Sequence, residues 1–214
     1  WSIVNVMTGD RFFFYEHGSR ATRVAMGLLK NFNGAIQSDG YIVYEHFEGM
    51  EGKLLLGCWA HARRKFFEAR KENEKLANEA LFYIGKLYEV EREADALDEE
   101  DKKPNYERRK KLREEKAYPE IKKFETWMEV NLLKCPPKSL LEGAISYTYN
   151  ILKKLSLYII DGRYKIDDNM VENSIRPLAI GRKNYLFCGD DEAAQRTAVV
   201  YSLLATCKAR GVDE

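Results

Sequence analysis

The alternation of apolar and polar residues predicts a hairpin, a helix and a short strand in the first 40 residues. Residues 1–7 alternate as a strand does, a turn follows at residues 8–10, and residues 11–15 return as its partner. Ser19 is placed to cap a helix over roughly residues 20–30, which Asn33 and Gly34 end. A short strand over residues 35–38 then ends at Asp39.

The middle of the chain has helical periodicity and many charges. Residues 58–70 predict an amphipathic helix with one apolar stripe and a basic remainder. From residue 71 to about residue 134, apolar residues recur every three or four positions, and a polar turn with Pro104 interrupts them. This pattern predicts a helical hairpin whose charged residues are solvated faces rather than a site.

The last third predicts helices separated by short polar turns. Ser139 and Glu142 form a capping box for a helix whose buried stripe begins at Leu140. Residues 158–160 are expected to form a short strand. The helix that carries Glu172 is expected to stop or kink at Pro177, and an aromatic-rich strand follows the basic run after it. A final helix covers residues 193–209, with Leu204 among its inward positions.

Composition narrows the class of protein. Hydrophobic residues are 45% of the 214, and the net charge is only +1, so contacts with DNA would need local basic patches. The four cysteines include only a weak Cys58-x-x-His61 spacing, and thiols in a reducing cytoplasm are the simpler account. There is no apolar run long enough for a membrane span and no signal peptide. Because the chain opens at Trp1 within a strand pattern, we expect a fragment of a longer protein.

Two acids have competing interpretations. Asp39 is either part of an ordinary Asp-Gly turn or a ligand at the tip of a strand. Glu172 either completes a capping box with Asn169 and pairs with Arg176, or is presented from its helix to a metal. Spacing alone leaves both alternatives open, and capping is the favoured role of Asp167 and Asp168.

Three separated blocks resemble the transposases of the insertion sequence 66 family. They read QSDGYIVY at residues 37–44, CWAHARRKF at residues 58–66 and IDDNMVENSIRPLAIGRKNYLF at residues 166–187. The resemblance runs in order along the whole chain, which is more specific than one short motif. Asp168 stands where the family usually has Asn, and Asn173 where it often has Arg.

The resemblance implies an α/β fold with a ribonuclease H-like catalytic core, a mixed sheet flanked by helices, interrupted by a helical-hairpin insertion. Residues 1–57 would be the N-terminal part of the core without its first strand. Residues 58–138 would be a helical segment with the inserted hairpin. Residues 139–214 would return to the core and carry the catalytic Glu.

The implied function is that of a DDE-type DNA transposase, which performs strand cleavage and strand transfer by metal-dependent phosphoryl transfer. Asp39 and Glu172 would be catalytic and would hold two Mg²⁺ or Mn²⁺ ions. A first Asp would lie upstream of Trp1, so this fragment alone is expected to bind metal weakly. The alternatives are a non-catalytic DNA-binding or dimerising remnant and a stand-alone nuclease.

The expected partners are transposon-end and target DNA in a cytoplasmic, nucleoid-associated protein without membrane contact. A homo-oligomer is expected in the active state, with companion insertion-sequence proteins as further partners. The residues predicted to contact DNA share positive charge or a stackable ring; they are Trp59, His61, Arg63, Arg64, Lys65, Arg176, Arg182 and Lys183.

Overall fold

The computed structural model describes residues 1–185 and 188–212, with Tyr185 described by its main chain only. The chain divides into two compact units. The first unit comprises Trp1–Asn33, Ile42–His46 and Asp168–Glu214, and the second comprises Gly34–Tyr41 and Phe47–Asp167. Both units are assembled from separate stretches of sequence. The three segments predicted from the sequence, with boundaries after residues 57 and 138, stay a prediction.

The first unit opens with the predicted hairpin. Strand β1 (Ser2–Val4) pairs antiparallel with β2 (Arg11–Phe13), and Ile3 lies opposite Phe12. Helix α1 (Thr22–Leu28) follows, as predicted. The predicted cap is wrong, because Ala21 occupies the capping position and the Ser19 hydroxyl instead accepts a hydrogen bond from the Ala21 N–H at 3.3 Å.

Two C-terminal helices, α8 (Asn169–Tyr185) and α9 (Asp191–Ala209), complete the first unit. Helix α9 lies against β2 and satisfies two of its main-chain N–H groups. The Phe13 N–H donates to Ser202 Oγ at 2.8 Å, and the Arg11 N–H donates to Thr206 Oγ1 at 3.0 Å. Two hydroxyl side chains of α9 thus accept hydrogen bonds from β2 that the main chain of a neighbouring strand would otherwise accept. Leu204, predicted inward, is 40% exposed.

The helix that carries Glu172 does not stop at Pro177, as one form of the prediction had it. Helix α8 continues through Pro177 to Tyr185. Proline lacks an N–H, so the carbonyl of Asn173 loses its helical partner at this turn. Asn173 and Pro177 are both exposed, and water can hydrate that carbonyl. The aromatic-rich strand predicted next is not formed up to Tyr185, and Leu186 and Phe187 lie outside the described residues.

The second unit contains a parallel strand pair. Strand β3 (Gly34–Gln37) was predicted, and β4 (Lys53–Leu56), which pairs with it, was not. Ile36 lies opposite Leu55, and both are buried. In the part of the chain that the structure describes, the strands form two separate two-stranded sheets. The mixed α/β class is therefore confirmed, and the ribonuclease H-like core stays a prediction.

Helices form most of the second unit. The basic helix α2 (Trp59–Ala69) precedes the long helix α3 (Glu74–Glu100), and the chain returns through α4 (Tyr106–Leu112), a π-helical turn (Arg113–Ala117) and α5 (Tyr118–Leu132). The predicted helical hairpin is thus confirmed. Helices α6 (Leu140–Asn150) and α7 (Leu152–Ser156) follow. The wholly buried side chains at the centre of this unit are mostly aromatic and branched: Trp59, Phe66, Ile84, Phe124, Met128 and Ile145.

The sequence predicted the N-terminal cap of α6 correctly but misplaced the start of its buried stripe. Ser139 caps α6 as predicted and accepts from the Glu142 N–H at 3.1 Å. Leu140, placed in the buried stripe, is 45% exposed, because the stripe begins one residue later at Leu141. The short strand expected at residues 158–160 is a 3₁₀ helix, Leu157–Ile160.

None of the described helices is both long and apolar enough to span a membrane.

The expectation that all charges of the hairpin are solvated is wrong for three residues. Glu91, Arg109 and Arg113 are buried. Arg113 donates to Glu91 through Nε and a terminal nitrogen, both at 2.7 Å, and Arg109 donates to the same carboxylate at 3.0 Å. A buried charge requires such pairing. The helical period alone does not reveal this network, because the same spacing also describes an exposed charged face.

Candidate catalytic carboxylates and basic surfaces

Asp39 lies just beyond the carboxyl end of β3, where a parallel strand delivers side chains past the sheet. Its carboxylate is exposed, and Oδ1 accepts a hydrogen bond from the Tyr41 N–H at 3.0 Å. Within the described part of the chain, Oδ2 has no hydrogen-bond donor. The side chain therefore stabilises its own turn with one oxygen and presents the other to solvent.

The turn at Asp39 depends on the glycine that follows it. Gly40 has φ +80°, a left-handed conformation that L side chains rarely adopt. A Cβ atom at Gly40 would lie 2.9 Å from the Tyr147 hydroxyl oxygen. The left-handed backbone conformation therefore selects glycine and fixes the direction in which the chain leaves Asp39, whereas the Tyr147 hydroxyl could shift to admit a Cβ atom.

Gln37 anchors the strand end that carries Asp39. Its Nε2 donates to the carbonyl of Gly57 at 3.0 Å and to that of Lys165 at 2.8 Å. These contacts tie the last residue of β3 to the segment before α2 and to the end of the second unit. Ser38, the residue between Gln37 and Asp39, is buried. The position of Asp39 is therefore set by a well-anchored frame.

Glu172 lies in the first turn of α8 and is half-buried. The carbonyl of Asp168 accepts from the N–H groups of Val171 and Glu172, at 2.9 and 3.2 Å, as the residue before a helix does. Asp168 therefore occupies the capping position, which is the role favoured for it from the sequence, whereas Asn169, proposed as the cap in one interpretation, is the first helical residue. The two candidate catalytic acids belong to different units, so their convergence on one metal site stays a prediction.

Asp167 is engaged within the second unit. The Tyr88 hydroxyl donates to Asp167 Oδ2 at 2.8 Å. Burial, and then the negative charge of Asp167, raise the pKa of Tyr88 above its usual value of 10. Tyr88 thereby holds the Asp167 side chain through one of its oxygens.

Helix α2 presents a basic surface, but Trp59, which was predicted to stack on a DNA base there, is not part of it. Trp59 is wholly buried and its Nε1 donates to the Leu155 carbonyl at 2.9 Å, so the predicted stacking on a base is wrong. The signal was in the sequence, because Trp59 continues the buried stripe of Ala62, Phe66 and Ala69 at helical spacing.

The cations of α2 lie on its solvent side. Arg63, Arg64 and Lys65 are exposed, and the Lys65 ammonium lies 4.5 Å from the centre of the Tyr147 ring. His61 is half-buried, with Nδ1 3.2 Å from Cys58 Sγ. Three arginine and lysine side chains are thus exposed on this helix, whereas His61 is half-buried beside Cys58.

A second basic surface lies on α8. Arg176, Arg182 and Lys183 are exposed, and among the described residues none of them forms an ion pair. The pairing of Glu172 with Arg176, which one of the two interpretations predicted, is therefore not made in the described part of the chain. Arg176 lies four residues and Lys183 eleven residues after Glu172, spacings that place both cations on the helical face of Glu172. Negative charge bound near Glu172 would meet two cations on the same face.

A polar cluster in the first unit escaped the sequence analysis. The Tyr15 hydroxyl donates to Asp191 Oδ1 at 2.7 Å, and His17 Nδ1 lies 2.6 Å from Asp191 Oδ2. The hydrogen bond and charge of Asp191 raise the pKa of His17 above its usual 6.5, and the donors His17 and Tyr15 lower the pKa of Asp191 below its usual 3.8. Residues separated by more than 170 positions gave no local pattern to detect.

Comparison with known proteins adds the family. The transposase IS66 family matches residues 1–196. Two uncharacterized proteins of Sinorhizobium fredii (strain NBRC 101917 / NGR234) are similar: y4qI is 36% identical over 93% of this chain and 37% of its own length, and y4jD is 31% identical over 91% and 38%. The chain thus spans less than two fifths of these relatives. No solved structure matches it. A match over residues 1–196 of the 214, a range that includes the three motif blocks, establishes that the chain belongs to the transposase IS66 family.

Proposed function

We propose that this chain supplies two catalytic carboxylates, Asp39 and Glu172, to a DDE-type DNA transposase that cleaves and joins DNA strands with two Mg²⁺ ions. A third carboxylate would come from a part of the longer family members that this chain does not contain. The observation that carries the proposal is the position of Asp39, whose exposed carboxylate lies at the carboxyl end of an anchored parallel strand.

The donor chemistry fits the proposed ions. Both assigned ligands are carboxylates, and hard oxygen ligands that leave room for water and substrate phosphate suit Mg²⁺. Asp39 offers its Oδ2 to solvent, which is what a ligand shared with substrate requires. Bound Mg²⁺ would supply activation of a water or 3′-hydroxyl nucleophile and stabilisation of the leaving oxygen. Mn²⁺ has the same ligand preference and is the natural probe.

The chain's own cations would hold the DNA backbone. Arg176 and Lys183 share the helical face of Glu172, and Arg182 is exposed on the same helix. Each phosphate contact adds affinity that falls as salt concentration rises. Removal of one of these cations is expected to weaken binding and reduce the salt dependence without changing sequence preference. Arg63, Arg64 and Lys65 on α2 would act in the same way.

Strand transfer with matched transposon ends tests the proposal. Asp39→Asn and Glu172→Gln should each abolish joined product in a longer form that contains the third carboxylate, and this chain alone should be much less active. Glu51→Gln is a matched control, since Glu51 is an exposed carboxylate of the second unit. Full activity of either acid variant would refute the assignment. Hydrolysis without joined product would indicate a nuclease, and DNA binding without chemistry in every form would indicate a non-catalytic remnant.

Metal binding gives an independent readout. Crystals soaked with Mn²⁺ should show anomalous density coordinated by both Asp39 and Glu172. Density at neither residue, in a longer form that is active in strand transfer, would place the metal elsewhere and overturn the assignment.

A further inference from the structure

The first unit contains a cleft of about 480 Å³ that the proposed catalytic residues do not use. Its walls are aromatic and come from the N-terminal hairpin and from α9; the residues are Trp1, Phe13, Phe14, Tyr15 and Tyr201. Small side chains of α9, Ala194 and Ala198, also line it and leave room between these walls. The volume falls within the range of roughly 300–1,000 Å³ that is typical of small-ligand sites.

Two charged side chains of the cleft lining, Arg182 and Asp191, differ in whether other side chains already bind them. Arg182 lines it, is exposed, and forms no ion pair in the described part of the chain. Asp191 lines it too, but each of its carboxylate oxygens already has a partner, Tyr15 for Oδ1 and His17 for Oδ2. Asp190, the other carboxylate of the lining, caps α9 and accepts a hydrogen bond from the Ala193 N–H at 2.7 Å. Among the described side chains of the lining, Arg182 is therefore the cation available to a ligand, while both nearby carboxylates have hydrogen-bond donors of their own.

We propose that this cleft binds an unpaired nucleotide of a DNA strand, with the base between the aromatic walls and the phosphate at Arg182. Flat aromatic faces accept any base by stacking, and a guanidinium at the rim pairs with phosphate. A purely apolar ligand would leave Arg182 unused, and an acidic one would not fill the aromatic walls. The proposal rests on the proposed function, because it makes the cleft a subsite for the DNA on which the transposase acts.

Two phenylalanines of the hairpin provide a matched test. Phe14 lines the cleft and is 36% exposed, whereas Phe12, two residues earlier, is 43% exposed and lies outside the lining. Both side chains are partly in solvent, so alanine at either position should leave folding intact. Circular dichroism of both variants checks this point. Phe14→Trp keeps an aromatic face and should keep binding.

The measurement is fluorescence anisotropy of the 214-residue chain with labelled DNA in EDTA, so that no metal chemistry intervenes. A duplex with a three-nucleotide single-stranded end should bind more tightly than the same duplex with a blunt end. Phe14→Ala should lose about tenfold of this preference, the order expected for one base–aromatic stack, while Phe12→Ala retains it. Arg182→Gln should weaken binding of the single-stranded end more than Lys183→Gln does.

Equal binding of both duplexes, or equal losses in Phe14→Ala and Phe12→Ala, would overturn the cleft proposal. These outcomes leave the catalytic proposal untouched, since the assay contains no metal. Conversely, Asp39→Asn and Glu172→Gln should retain the preference for the single-stranded end. If they do, and strand transfer nevertheless survives both changes, the catalytic assignment fails while the cleft stands as a nucleotide-binding site.

Discussion

Arg113 is a buried cation whose five N–H groups all have acceptors. Two bonds go to Glu91, and three go to the main-chain carbonyls of Tyr158, Asp161 and Tyr164, at 2.7, 2.9 and 3.0 Å. Its guanidinium also lies 4.8 Å from the centre of the Tyr158 ring. The fork geometry of arginine suits this set, and lysine could not reproduce it. Arg113 thus joins the helical hairpin to the chain that follows α7.

We predict that Arg113→Met destabilises the protein by about 3–5 kcal/mol, because Glu91 and three carbonyls lose a buried partner. Urea unfolding followed by circular dichroism measures the change. Arg92→Met, at an exposed position of α3, is the control and should cost about 0.5 kcal/mol or less. A loss below about 1 kcal/mol for Arg113→Met would show that the network contributes little, as hydrophobic replacements of buried ion pairs sometimes do.

The contact of His17 with Asp191 predicts a pH-dependent attachment of the hairpin to α9. The pKa of His17 is raised above 6.5, so its contribution is complete below that pH and is lost as pH rises through the raised value. The pKa of Asp191 is lowered below 3.8, so its contribution is present above that pH and is lost as pH falls through the lowered value. The contact is therefore strongest between about pH 4 and pH 6.5.

Asp191→Asn should bring the pKa of His17 back toward 6.5, because the carboxylate that stabilises the imidazolium is removed. An NMR titration of the His17 ring measures the shift. Glu192→Gln is the matched control: Glu192 is the next acid of α9 and pairs with Arg196 instead. An unchanged His17 titration in Asp191→Asn would contradict the contact.

Gly85 and Gly162 lie in settings that predict opposite effects on stability when each is replaced by alanine. Gly85 lies inside α3, and a Cβ there would meet no atom within 4 Å. Gly162 follows the 3₁₀ helix, and a Cβ there would lie 2.0 Å from the Tyr106 carbonyl oxygen. The first position permits a side chain, whereas the second holds two stretches of backbone in contact.

Gly85→Ala should therefore stabilise the protein by about 0.5–1 kcal/mol through helix propensity. Gly162→Ala should destabilise it by more than about 1 kcal/mol, since the backbone at Tyr106 must move. Thermal unfolding of both variants gives the signs directly. The same sign for both substitutions would show that helix propensity or backbone approach has been misjudged at one of them.

The sequence predicted elements with strong periods and missed those set by distant partners. The hairpin, β3, α2 and the pair of long antiparallel segments follow from alternation or helical spacing. Strand β4 lacked a signal, because a strand buried in a parallel pair need not alternate. Pro177 misled, since the exposed face of α8 tolerates the lost hydrogen bond. For the candidate site, the resemblance supplied Asp39 and Glu172, whereas Trp59 was wrongly assigned to DNA although its spacing from Ala62, Phe66 and Ala69 is that of a buried stripe.

The second unit is nearly continuous in sequence. Residues 34–167 contain all of it together with the five residues Ile42–His46 of the first unit. Its core joins α2, α3, α5 and α6 around Trp59 and Phe124. A helical core with many local contacts is expected to fold independently and fast.

We predict that a polypeptide of residues 34–167 folds alone, with cooperative thermal unfolding and the near-ultraviolet signal of a packed Trp59. Circular dichroism tests this. Residues 1–33 expressed alone should remain unfolded, because α8 and α9 supply their packing partners. A non-cooperative transition for residues 34–167 would mean that the units depend on each other for stability.

The discontinuity of the first unit also has a consequence during translation. The hairpin of β1 and β2 leaves the ribosome well before α9, whose hydroxyl side chains accept hydrogen bonds from β2, has been made. At roughly 5–20 residues per second, synthesis of the intervening chain takes on the order of ten seconds. For that interval the nascent hairpin exposes aromatic side chains and an unpaired strand edge, so the newborn chain is a natural client for chaperones near the exit tunnel.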